Sequence, residues 1–181
     1  MGIGAAGTNS FGKLRFAVPY LAGFAGFAIF ADGADMLLRA DLIELWKLRD
    51  PFKAVQVVKH EYKTAHPRKY VGTALEADNL DYPRKNWSSL IIWNCASYRN
   101  RLTPNVIDKT PITDLHRFNW LPDEQIGELP AEWNLLIGEQ GPNPAAKLHH
   151  HTLGIPGFTH YEAMEGAAEW KQALRNAQRG L

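Results

Sequence analysis

The chain has 181 residues, with 20 basic and 19 acidic side chains giving a formal charge of +1. That length suits one domain with a real apolar core and is short for two, and the charge balance excludes a field strong enough to draw nucleic acid or an anionic membrane. The single cysteine, Cys95, has no partner for an internal disulfide, and the start of the chain lacks a signal-peptide pattern, so a cytoplasmic protein is expected.

Residues 1–9 are glycine-rich, without apolar period, and read as a loose lead-in. Lys13 to Ala22 predicts a helix with Pro19 in or near it and Gly23 as terminator. The uncharged run from Phe16 to Ala31 is broken by Pro19, Gly23 and Gly26 and is shorter than the roughly 20 apolar residues of a membrane span. Ala28 to Ala31 is instead expected as a buried interior strand. Asp41 with Glu44 has capping-box spacing and should start a helix through Leu42, Leu45 and Leu48, ended by Pro51. Ala54 to His60 and Ser88 to Cys95 read as strands, separated by a long polar loop over residues 61–84. Thr103 and Pro104 open a short helix toward Lys109. The stretch from Pro111 to Pro144 reads as irregular, Ala146 to Thr152 as a strand, and Thr159 with Glu162 as the cap of a final helix over residues 160–181 ending near Arg179. Helices and uncharged strands alternating in this way favour an α/β layered domain spanning residues 1–181.

Four clusters carry candidate chemistry. Asp32 and Asp35 follow a predicted strand, where carboxylates can hold Mg2+ or Mn2+, although such residues also form turns and caps. His149, His150 and His151 fall in a predicted strand, so alternation sends His150 to one face and the other two to the opposite one. A three-histidine zinc site on one face is therefore excluded, while one histidine plus two aspartates makes a hard-to-borderline metal set. Asn86, Ser88 and Ser89 precede a buried strand, and their amide and hydroxyls suit either sugar hydroxyls or strand capping. Asp123, Glu124 and Gln125 lie beside a loop reaching Trp133 and Asn134, a mixture of acid, amide and aromatic that suits a carbohydrate pocket or a solvated loop.

In this order the clusters resemble the GT-A glycosyltransferases related to glycogenin and to bacterial lipopolysaccharide galactosyltransferases, including glycosyltransferase-like proteins of bacteria and phages. Arg15, Phe16, Pro19 and Leu21 match the family's R-F-x-x-P-x-L helix before its D-x-D motif, and Asp41 to Trp46 is similar to its D-I-x-E-L-W segment. Lys85 to Cys95 resembles the F-N-S-G-V-x-x-x-N strand, Asp123 to Asn134 a compressed D-Q-x-x-x-N region, and Lys147 to Pro156 the I-H-F-x-G-x-x-P-W strand.

The resemblance implies a GT-A-like mixed sheet flanked by helices, here lacking the N-terminal nucleotide-binding strands. It implies a UDP-sugar or similar donor, a glycan or other hydroxyl acceptor, retention of configuration, and Mn2+ or Mg2+ held by Asp32, Asp35 and His150. The donor would be bound by Asn86, Ser88, Ser89 and Lys59, and the reacting sugar met by Asp123 and Gln125. Two departures bear on activity: the acidic motif reads D-G-A-D, and the family's first nucleotide-binding region has no counterpart. A non-catalytic nucleotide- or sugar-binding remnant is the alternative expectation. An uncovered sheet edge at the shortened end would also invite homo-oligomerisation.

Overall fold

The structure, a computed structural model, describes residues 11–180, so the expected lead-in over residues 1–9 lies outside the described residues. Along the chain the strands are β1 Phe27–Ala31, β2 Met36–Leu38, β3 Val55–Val57, β4 Arg68–Lys69, β5 Ala77–Asp78, β6 Leu90–Asn94, β7 Ile126–Glu128, β8 Leu135–Leu136 and β9 Leu148–His150. The α-helices are α1 Phe11–Leu14, α2 Val18–Leu21, α3 Leu42–Trp46, α4 Pro104–Lys109, α5 Ile112–His116 and α6 Ala167–Arg179. They belong to two compact units. Of the described residues, the first comprises 11–31, 41–62 and 82–131; the second comprises 32–40, 63–81 and 132–180.

The first unit holds a four-stranded mixed sheet in the order β1-β6-β3-β7, with β1 and β3 antiparallel to β6 and β7 parallel to β3. Leu90 to Trp93 of β6 are fully buried, which explains their uncharged sequence. The expected interior strand β1 is instead at the end of this order and only half-buried; its lack of charge reflects packing partners such as the Trp46 ring, edge-on to Phe27 at 6.5 Å. The expected helix over Lys13 to Ala22 is broken into α1, a 3-10 turn over Arg15–Ala17 and α2. Pro19 has no amide hydrogen to return to the Arg15 carbonyl, so the ladder cannot run through. Past α2, the Gly23 amide donates to the Tyr20 carbonyl (2.9 Å) and the Phe24 amide to the Pro19 carbonyl (2.8 Å), a Schellman ending that Gly23 permits at φ 63°.

Two caps behave as expected: the Asp41 carboxylate accepts from the Ile43 amide (2.8 Å), and the Thr103 hydroxyl accepts from the Val106 amide (3.4 Å). Phe16 anchors the core of this unit, with the rings of Trp93, Phe118 and Trp120 set edge-on around it at 6.4, 6.3 and 5.9 Å.

The second unit is built on the three-stranded sheet β2-β9-β8, with β9 central, antiparallel to β2 and parallel to β8. Its expected long loop carries the small hairpin β4-β5, where Arg68 pairs with Glu76 and Asp78. The region read as irregular supplies β7 and β8, which are too short to show a period of two. The final helix starts at Ala167 after Gly166 at φ 73°, not at the Thr159–Glu162 box; Thr159–Tyr161 forms a separate 3-10 turn. Among the described residues no helix is long and apolar enough to cross a membrane.

Candidate metal centre

All three expected metal residues lie in the second unit. The Met36 amide donates to the Gly33 carbonyl (3.1 Å), closing a tight turn that presents Asp35, with Asp32 just before it. From this turn the chain enters β2, whose Met36 stands opposite His150 in β9. The His151 amide also donates to the Asp35 carbonyl (2.7 Å), fixing the acidic turn at the end of β9. As a result one ligand atom from each of Asp32, Asp35 and His150 lies within 4.8 Å of the others.

His150 is 2% exposed, and its ring is held from both sides. Nδ1 is 3.1 Å from the Asn134 amide oxygen, and Nε2 is 3.5 Å from a carboxylate oxygen of Asp35. An amide oxygen only accepts, so Nδ1 carries a hydrogen. Nε2 is then the ring nitrogen turned toward the Asp35 carboxylate, where its lone pair is available to a cation. Ligand atoms on one octahedral divalent ion, each at about 2.1 Å, stand about 3 Å apart when adjacent and about 4.2 Å when opposite. The Asp35–His150 separation falls within that span, and the oxygen-oxygen-nitrogen set suits Mg2+ or Mn2+.

The other two histidines take the opposite face of β9, as alternation requires. The nearest approach of a side chain at Gly166 would be 2.9 Å from His149 Nδ1 and 3.6 Å from His151 Cε1, so both rings pack under the start of α6. The Arg39 guanidinium donates to His149 Nε2 (3.0 Å) and also pairs with Glu169 at 3.2 Å. Burial, then the Arg39 charge, holds the His149 pKa below the ordinary imidazole range. For His151, fully enclosed, burial and then the neighbouring His149 and His150 push the pKa down to about 4.

The expected donor and sugar residues belong to the first unit. Asn86 sits at φ 63° before the 3-10 turn Trp87–Ser89, and its amide donates to the Tyr62 hydroxyl (2.8 Å). Lys59 Nζ lies 5.7 Å over the Trp87 ring. Ser88 and Ser89 are buried and turned inward: the Ser88 hydroxyl is 2.6 Å from His116 Nδ1, and the Ser89 hydroxyl donates to the Asn86 carbonyl (2.7 Å). Both hydroxyls are thus bonded to groups of the same unit. Asp123 is exposed and paired with Arg84; Gln125 closes the same 3-10 turn, Asp123–Gln125, at the entry to β7.

Two supporting residues escaped the sequence reading. Asn134 reads as a pocket amide, yet it orients the His150 ring. Trp170 of α6 drew no reading of its own, yet its indole donates to the Ala34 carbonyl between the two aspartates (2.8 Å).

No protein-family model matches the chain. Protein CDI of Arabidopsis thaliana is 37% identical over 169 residues, covering 90% of this chain. The chain spans 63% of the length of that relative. Among solved structures, an active-site mutant of LgtC, a GT-A glycosyltransferase, superimposes with a TM-score of 0.59 over 97% of this chain and 70% of LgtC, at 12% identity. The chain thus has a mixed α/β architecture matching the GT-A-like fold of LgtC.

Proposed function

We propose that the protein is a divalent-metal-dependent glycosyltransferase that moves a sugar from a nucleotide-diphosphate sugar, UDP-sugar first among them, to an acceptor hydroxyl with retention. The observation that carries this reading is the convergence of Asp32, Asp35 and His150 at the end of β9. Asp32 and Asp35 supply hard anionic oxygens, and His150 supplies a nitrogen whose direction is set by Asn134. A bound Mn2+ or Mg2+ would supply Lewis acidity toward the departing diphosphate. Asn86, Ser88, Ser89 and Lys59 are assigned to the donor. Asp123 and Gln125 are assigned to the reacting sugar, Asp123 as a carboxylate held by Arg84. The LgtC-like fold supports a transferase over an unrelated metal-binding role.

Calorimetry with UDP and Mn2+ tests the site, and release of UDP from UDP-glucose or UDP-galactose tests the chemistry. Asp35→Ala, a turn residue with a partly exposed side chain, should abolish metal-dependent UDP binding while leaving the circular-dichroism spectrum and unfolding cooperativity of the wild type. Unchanged UDP affinity in that variant would remove the metal centre from the mechanism. Tight UDP binding without turnover of either sugar nucleotide would make the protein a binding remnant of the fold.

A further inference from the structure

The second unit contains a cleft that none of the assigned donor or metal residues line. It is open, of about 500 Å3, and bounded by Val71, Gly72 and Thr73 on one side and by Gly157, Phe158, Thr159 and His160 on the other. That volume lies in the range of roughly 300–1,000 Å3 usual for small-molecule sites. We infer that this cleft is the subsite for a neutral glycoside, the acceptor arm of the transfer proposed above, on which the acceptor role rests.

The chemistry of the walls selects this ligand class. Phe158 is half-buried and offers a flat apolar surface of the kind that covers the C–H face of a pyranose. The Thr159 hydroxyl and His160 imidazole, both on exposed residues, supply hydrogen-bonding groups for ring hydroxyls. Neither lysine nor arginine lines the cleft, so it is ill-suited to a diphosphate and distinct in character from a donor site.

The cleft is also built rigidly. The Tyr161 hydroxyl accepts from the Val71 amide (3.0 Å), and the Tyr70 amide donates to the Leu153 carbonyl (2.7 Å), clasping the two walls together. Gly157 packs on the Trp170 ring, where an added Cβ would come within 3.3 Å. The same indole donates to the Ala34 carbonyl inside the acidic turn, so one side chain supports both the cleft floor and the metal-binding loop. Walls fixed in this way require little ordering on binding.

Saturation-transfer NMR with methyl β-D-galactoside and methyl α-D-glucoside as probes tests the inference on the full chain. Transfer to at least one glycoside is expected in the wild type and in Asp35→Ala, with affinity reduced about tenfold in Phe158→Ala, as loss of a ring contact implies. His160→Ala, a change at an exposed position, should weaken the same signal. Absence of transfer to both glycosides, or signals undiminished in both cleft variants, overturns the inference. Where glycoside binding follows this pattern but UDP-sugar turnover is absent, the transferase reading and with it the acceptor role fall, while failure of the probes alongside intact turnover condemns the cleft alone.

Discussion

At the scale of single residues, the proposed metal centre depends on how one imidazole is held. The Asn134 amide oxygen meets His150 Nδ1 and so fixes which ring nitrogen faces Asp35. Asn134→Ala should therefore leave all three proposed ligands in place and still weaken Mn2+ binding by about 10–100-fold in calorimetry, the usual effect of removing an outer-shell partner. His149 and His151 act on stability instead. Both have pKa values lowered by burial, so the folded form binds fewer protons than the unfolded chain between about pH 6.5 and, for His151, about 4. Their stabilising contribution is complete above the unfolded value and is lost as pH falls through that window. Urea-unfolding midpoints of the metal-free protein should decline from pH 7 to pH 4.5, and the decline should be shallower in His151→Phe. The alternation that separates His150 from its neighbours was legible in the sequence because a period of two is a property of any extended strand. The inward bonds of Ser88 and Ser89 were not, because His116 meets Ser88 only after the chain has folded.

Among the elements, those defined by local rules were the easiest to read. Asp41 and Thr103 cap α3 and α4 through hydrogen bonds that span two or three residues, so their sequence signatures were sufficient. The strand β6 was recognisable from its apolar run, although the same signal in β1 did not bring full burial. The segment after β9 shows the opposite case. Gly154 faces the Tyr161 ring so closely that an added Cβ would stand 2.3 Å from it, a constraint invisible in a single glycine of a loop. Gly154→Ala should cost about 1–3 kcal/mol in denaturant unfolding through overpacking. The loss should be partly recovered when Tyr161 is also reduced to Leu, since the clash is with its ring.

At the scale of the whole molecule, the proposed metal centre would link ligand binding to folding. Asp35 and His150 meet only in the folded state, so an ion bound there stabilises that state by mass action, about 2.7 kcal/mol at a hundredfold excess over Kd. Thermal unfolding should shift upward with Mn2+, return to its starting value on addition of EDTA, and show no shift in Asp35→Ala.

The sequence by itself determined the kinds of element, two of the caps, the buried strand of the first sheet and the face on which His150 stands. These follow from backbone periodicity and from hydrogen bonds between near neighbours. Only the tertiary structure decided that β1 lies at a sheet end, that β7 and β8 form within a proline- and glycine-rich stretch, and that the chain divides into two compact units. It also decided that Trp170 braces the acidic turn, 136 residues away in sequence. Such pairings arise from packing between segments remote along the chain, and no local pattern of side chains encodes which remote surface will complete them.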